Sequence, residues 1–234
     1  MLIVGWEAVS RSGLIDFALF PPPSFVVSAF FEMVGDGFLW DIAVSLGRVI
    51  AGLMIGVVAG SVLGLLTGRH SVIDESLSPT MNVMRAFPPV ALIPLIITWF
   101  GIGEGAKVLS IALAVLFPVW VNVHIGAKGV PAQYLQVAKT LTSSDSRILG
   151  RVVIPASAPF IIAGARIGIA VSFIMVYVAE IAGASQGIGY QISVSHLDYA
   201  MDKMIAALFT LGFLAAMTDI IFINLTRRVF PWLA

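Results

Sequence analysis

The ionisable side chains set inside long apolar stretches are where this sequence has the means to do chemistry. Arg48, Arg166, Glu180 and Asp219 each interrupt or border a run of otherwise apolar residues. A charge in hydrocarbon is costly, so its default reading is functional: recognition of a charged solute, a proton relay, or an ion pair. On a helix, Arg166, Phe173, Tyr177 and Glu180 fall within about 40° of one line at 100° per residue. The structural alternative has Arg166 snorkelling to the inner side and Glu180 at the outer interface. Asp219 lies deeper and calls for a cation, either Arg48 or Arg166. With no Cys in the chain, disulfides, thiolate chemistry and most structural zinc sites are excluded. His70, His124 and His196 are scattered and form no metal-ligand spacing. Glu180, Asp219 or His124 would have to serve an intramembrane enzyme, and no nucleophile–base constellation supports one. The same carboxylates suit an ion-coupled secondary transporter. No GxxxxGK[ST] loop is present to cradle ATP phosphates.

The elements that position these groups follow from composition. Of 234 residues, 59% are hydrophobic and 11% charged, with a mean hydropathy of +1.02. A soluble domain is about 25% charged, so this chain has the bilayer as its solvent. Thirteen Lys and Arg balance thirteen Asp and Glu, which points to no polyanionic partner such as nucleic acid. A helix needs about 20 apolar residues to cross. Stretches of that order run over 49–68, 86–103 and 108–127, and two more, roughly 159–181 and 204–226, are interrupted only by Arg166, Glu180 and Asp219. Alternating strand periodicity is absent, so the reading is an all-α polytopic bundle with five clear transmembrane helices. Residues 1–9 are apolar but too short to span and lack a basic n-region. They read as the stub of a truncated first span, followed by a loop at SRSG and FPPPS.

Basic residues orient the bundle. With the 128–152 segment and the C-terminus inside, the inner side carries Arg69, Arg85, Lys128, Lys139, Arg147, Arg151, Arg227 and Arg228. The outer side then carries Arg11, Lys107 and Lys203. The C-terminus is therefore expected to be cytoplasmic. Pro88, Pro89 and Pro94 in the third span and Pro118 in the fourth predict kinks, a weak pointer to a transport pathway.

Gly52, Gly56, Gly60, Gly64 and Gly68 recur every four residues along the second span. Small residues at that spacing form a ridge on which another helix packs closely, as membrane helices require. Arg48 continues the ridge one turn earlier, so its guanidinium is expected to face protein. Gly164, Gly168 and Ser172 form a shorter ridge of the same kind. GIGEGAK (Gly101–Lys107) and GASQGIG (Gly183–Gly189) superficially resemble phosphate loops. Neither follows a buried strand, and both read as turns at helix ends on the outer side.

The stretch 129–157 is too polar for the membrane and too patterned for a linker. Pro131 suits the first turn of a helix running to about Leu141. Thr142 with Asp145 three residues on predicts a capping box opening a second short helix that ends near Val153. This segment resembles the EAA loop of ABC-importer permeases, with Gln136, Val137 and Ala138 at EAA, Thr142 at the glycine, Val152 at the isoleucine and Ile154-Pro155 at LP. Ala138 and Pro155 match outright and Val152 and Ile154 conservatively, whereas Gln136 and Thr142 depart from the pattern. RAFPPVALIPLIITWFGIGEGAK, RVVIPASAPFIIAGARIGIA and AEIAGASQGIGYQI are similar to the nitrate/sulfonate/taurine-type branch, and the likeness runs from about residue 14 to the end.

The resemblance implies a single transmembrane permease domain over 1–234 with the type I importer fold, in the bacterial inner membrane. It implies a second permease copy, an ATP-binding subunit that carries ATP and Mg, and an external solute-binding protein. Gln136, Val137, Ala138, Thr142, Asp145, Arg147, Arg151, Val152, Ile154 and Pro155 would then couple to the ATPase. Arg48, Arg166, Phe173, Tyr177, Glu180 and Asp219 are the pathway candidates, for a small solute such as a sulfonate, taurine or nitrate.

Overall fold

The computed structural model describes residues 2–12, 16 and 19–230, and every regular element among them is helical. Two short helices, α1 (Leu2–Arg11) and α2 (Pro23–Gly35), precede α3 (Phe38–Arg69), which at 32 residues is the longest single helix. At about 1.5 Å per residue α3 is roughly 48 Å long, enough to cross and project. The sequence reading runs no helix through 23–35. Pro22 and Pro23 mark a loop, but Pro23 occupies the first turn of α2, where its missing N–H costs nothing.

The glycine ridge of α3 packs on α6 (Glu104–Lys128), and the register is regular. A Cβ on Gly52, Gly56, Gly60, Gly64 or Gly68 would lie 2.5–2.7 Å from, in turn, Ile111, Val115, the Leu116 carbonyl, Val123 and Ala127. Residue numbers climb together on both helices, so α3 and α6 run parallel. The chain must therefore recross between Arg69 and Glu104. That return is made by α4 (Ser71–Met84), a 3-10 turn at Pro89–Leu92 and α5 (Ile93–Phe100), bent by 86° at the break.

This corrects the reading of 86–103 as one continuous span. Pro88 and Pro89 remove donors, and Pro88 holds extended backbone at ψ 121, which drives the residue before it away from helix as well. What remains helical, α5, has 8 residues, or about 12 Å, too short to cross alone. By contrast α6 passes through Pro118 unbroken. Asp74 of α4 accepts from Lys128 Nζ at 2.8 Å, clasping the first arm of the bent pair onto the end of α6. Beside this clasp the Thr67 hydroxyl meets the Trp120 indole at 3.1 Å and His124 Nδ1 at 3.0 Å.

Beyond α6 come α7 (Ala132–Leu141), α8 (Asp145–Ile148), a π-helical turn over Leu149–Val153, and α9 (Ile154–Ile181). Here too the structure departs from expectation. Ser144, not Thr142, caps the second helix by accepting from the Arg147 N–H, while Thr142 is extended and accepts from the Ser144 N–H at 3.2 Å. The helix does not stop near Val153 but runs on through the π turn, so Asp145–Ile181 forms one apolar span of 37 residues. Pro155 sits in the first turn of α9, where it breaks nothing.

α9 runs antiparallel to α6, since Gly164 lies against Val119 and Asn122 and Gly168 against Val115. Val49, Ile111, Val115, Val119, Ile169 and Val176 from α3, α6 and α9 make the central core. Lipid is as apolar as valine, so close packing rather than transfer from water holds these three helices. A second core joins α2 to α10 (Ile188–Leu197) and α11 (Met201–Val229), through Val26, Ala29, Ile188, Ile192, Ala206 and Ala207. Among the described residues, four helical spans are long and apolar enough to cross a membrane, or five with the bent pair.

Candidate functional site

Three groups of side chains emerge, one near each end of the bundle and one between. At the start of α3, Asp41, Ser45 and Arg48 extend the glycine ridge upward by steps of four and three, so all three face inward and are buried. The Arg48 guanidinium engages four of its five N–H donors. Its Nε and Nη2 donate to the two Glu104 carboxylate oxygens at 2.6 Å each, and Nη1 donates to Glu180 Oε1 at 2.7 Å and to the Gln186 carbonyl at 2.8 Å. Lys107 joins Glu104 at 3.0 Å.

Glu180, at the end of α9, is 1% exposed. Beyond Arg48 it accepts from the Ser45 hydroxyl at 2.7 Å and the Gly189 N–H at 2.7 Å. The start of α10 closes over it. The Gly187 and Ile188 N–H groups donate to Asp41 and Ser45, and Gln191 Nε2 reaches the other Asp41 oxygen. Gly187 has φ +121, and a Cβ there would lie 2.5 Å from the Glu180 carboxyl carbon. The GASQGIG turn is thus an anion cradle filled by the chain's own carboxylate, in keeping with a helix N-terminus.

Near the middle of the bundle, Arg166 of α9 and Asp219 of α11 pair bidentately, Nε to Oδ1 at 2.8 Å and Nη2 to Oδ2 at 2.9 Å. Asp219 therefore takes Arg166, not Arg48, as its cation. The pair is open, with side chains 55% and 30% exposed. Arg166, Phe173, Tyr177 and Glu180 share a helix face but not an environment. Phe173 and Glu180 are buried, Tyr177 is half-buried, and only Arg166 is exposed. The cause is α10, which spans 10 residues and packs with Tyr177 at the Glu180 end, leaving the face uncovered lower down.

At the opposite end, α7 turns an apolar stripe outward: Tyr134, Val137 and Leu141 are 61%, 60% and 82% exposed. Gln136 is exposed beside them, and Ala138 is buried on the side of α7 that faces the α8–π segment. Asp145, Arg147 and Arg151 are exposed, Thr142 and Val152 half-buried, and Ile154 and Pro155 exposed at the head of α9. A cavity of about 200 Å³ lies between α7 and the α8–π segment, lined among others by Ala138, Thr142, Arg147 and Arg151. Sequence reasoning missed Tyr134 and Leu141, although the 134/137/141 spacing is that of one helix face. It missed Glu104, Asp41 and Ser45 as well. The spacing of the last two with Arg48 continues the glycine ridge and was the available signal. His124, engaged with Thr67 near the Lys128 end, stands apart from Glu180 at the Arg48 end, so these groups make no shared catalytic constellation.

Residues 52–231 match the family described as binding-protein-dependent transport system inner membrane component. The chain belongs to that family. It is accordingly an ABC transporter permease subunit, an inner-membrane protein with several spanning helices. Relatives include the putative aliphatic sulfonates transport permease of Bacillus subtilis strain 168, 30% identical over 99% of this chain and 84% of the relative. The taurine transport system permease of Escherichia coli K12 is 31% identical over 99% and 86%. Among solved structures, an inward-facing MetNI methionine ABC transporter aligns with a TM-score of 0.68 at 18% identity, covering 82% of this chain and 95% of that one. An amino acid ABC transporter crystallised with histidines gives a TM-score of 0.63 at 19% identity, covering 84% and 94%. The permease fold is therefore shared well beyond recognisable sequence identity.

Proposed function

We propose that the permease, acting as one domain over residues 1–234, pairs with a second copy to form the pathway for a small anion of the sulfonate, taurine or nitrate type. An ATPase subunit carrying ATP and Mg docks on residues 129–157 at the cytoplasmic face, with Gln136, Val137, Ala138, Thr142, Asp145, Arg147, Arg151, Val152, Ile154 and Pro155 in or beside the contact. A solute-binding protein delivers the solute to the opposite face, and the C-terminus lies inside with Arg227 and Arg228. The substrate class is supported by the sulfonate and taurine relatives, and the orientation by the excess of Lys and Arg on that side.

One observation carries the reading of the loop. The exposed stripe of Tyr134, Val137 and Leu141 sits at the root of the unbroken helical span Asp145–Ile181, whose far end carries Glu180 into the Arg48 network. A push on the loop is transmitted by a stiff rod to the seal on the outer side. The face of α9 that is covered at Glu180 and open at Arg166 corresponds to a pathway closed outward and open inward.

Leu141→Asp puts a charge at the most exposed position of the docking stripe without touching the core, because Leu141 is 82% exposed. The expected result is an unchanged melting temperature and at least tenfold less ATPase retained on the affinity-purified permease, in line with loss of a well-packed apolar anchor. Equal retention by the variant and the parent rejects the docking role.

A further inference from the structure

The two intramembrane arginines differ in what they have left to give. Arg48 spends four of its five donors on Glu104, Glu180 and the Gln186 carbonyl and is 5% exposed, out of reach of a solute. Arg166 spends one edge on Asp219. Among the described residues its Nη1 and the second N–H of Nη2 carry no hydrogen bond, and its side chain is 55% exposed. Each Asp219 oxygen accepts one bond from Arg166 and keeps a free lone pair.

The depth of the pair decides what that exposure means. Arg166 lies 12 residues after Ile154, about 18 Å along the helix, and Asp219 lies 10 residues before Val229, about 15 Å from that end. Both are near the middle of their spans, where an open ion pair facing hydrocarbon is heavily disfavoured and ionisable groups face water or protein. Ala163 and Ala170, one turn to either side of Arg166, are exposed. The guanidinium thus stands between two small exposed residues, neither of which covers its free edge.

We propose that the Arg166–Asp219 pair is the solute-recognition site within the pathway, and that it selects a small zwitterion, oxyanion to Arg166 and ammonium to Asp219, over a bare anion. This rests on the permease reading above and names the substrate class within it. Charge balance favours the zwitterion. The pair is neutral as it stands. A bare anion on Arg166 leaves one net negative charge in a region of low dielectric and competes with Asp219 for the same cation. A zwitterion leaves the site neutral and gives each protein charge a second partner, which offsets the loss of hydration that makes buried charge expensive. Neither Phe173 nor Glu180 competes, since both are buried higher on the same face.

The test is equilibrium binding of tritiated taurine to the permease–ATPase complex in lipid nanodiscs without binding protein, with ATP hydrolysis by the same particles read in parallel. Saturable binding is expected, displaced by unlabelled taurine and at least tenfold less well by ethanesulfonate, which keeps the sulfonate and lacks the ammonium. Asp219→Asn should erase that difference. The double variant R166Q/D219N, which exchanges the ion pair for a neutral amide pair, should lose binding yet still hydrolyse ATP. Equal displacement by ethanesulfonate, taurine binding that survives in R166Q/D219N, or no saturable binding by the parent overturns the site. If the particles hydrolyse ATP while any of these occurs, the site alone falls. A permease that recruits no ATPase overturns the transporter reading and the site with it.

Discussion

Exchange of Glu180 for alanine is expected to cost the permease about 3 kcal/mol, because removing one partner strands the other charges and donors of a buried cluster. The Ser45 hydroxyl and the Gly189 N–H lose their acceptor, and Arg48 Nη1 keeps only the Gln186 carbonyl. The start of α10 loses the anion around which Gly187 and Gly189 are folded. Arg48 retains Glu104, which holds the cost near the lower end of the usual range for such breaks. Glu180→Gln, which keeps an acceptor oxygen, should cost less. The double variant R48M/E180M should recover part of the loss, since a buried pair replaced by apolar groups of similar size is often tolerated. Thermal unfolding of the nanodisc-embedded protein measures all three. An E180A melting temperature equal to the parent's contradicts the role assigned to the network.

The second large effect is on the α3–α6 contact. Gly56→Val places a branched side chain where even a Cβ lies 2.6 Å from Val115 Cβ and 2.7 Å from the Ala112 carbonyl oxygen. Backbone cannot rotate aside as a flexible side chain does, so the helices must separate. Overpacking of this kind costs about 1–3 kcal/mol and at times more, and here it sits at the second of the five ridge glycines. Gly47→Ala, on the outward side of the same helix with nothing within 4 Å, is the matched control and should leave stability unchanged. Melting temperatures of the two variants, compared directly, separate ridge packing from a general intolerance of α3 to side chains. Equal effects at 47 and 56 would show that the glycines are not there for close approach.

Much of this architecture could be read from residue order. The four-residue glycine period foretold an inward ridge, and the structure adds that its partner is a second four-residue series on α6, Ile111, Val115, Val119, Val123 and Ala127. That partner is invisible in sequence because valine and isoleucine at such spacing occur on any apolar helix. The helix over 131–141 was legible from Pro131, whereas the joining of Asp145 to α9 was not. A π turn leaves no residue signature that distinguishes it from a helix end. The prolines at 88 and 89 announced a break, but whether a break yields one bent crossing or two arms is settled by packing, here by the Asp74–Lys128 clasp. For the charges within the spans, Arg48, Arg166, Glu180 and Asp219, the sequence identified the participants and left the pairing open. Arg48 had two carboxylates nearer than Asp219 once the chain folded, one of them Glu104, which lies at a helix start and stood out only as part of a turn. The short helices α2 and α10 escaped detection because neither is long enough to span and their burial comes from tertiary contact with α11.

The central claim is that this permease moves its solute on power delivered by a separate ATPase through the 129–157 loop. Its most direct measurement is uptake of labelled taurine into proteoliposomes holding the permease and its ATPase, with binding protein outside and ATP inside. Uptake is expected only with ATP and all three components, unaffected by collapse of proton or sodium gradients, and at least tenfold lower with Leu141→Asp. Uptake driven by an ion gradient in vesicles that contain the permease without the ATPase would contradict the account.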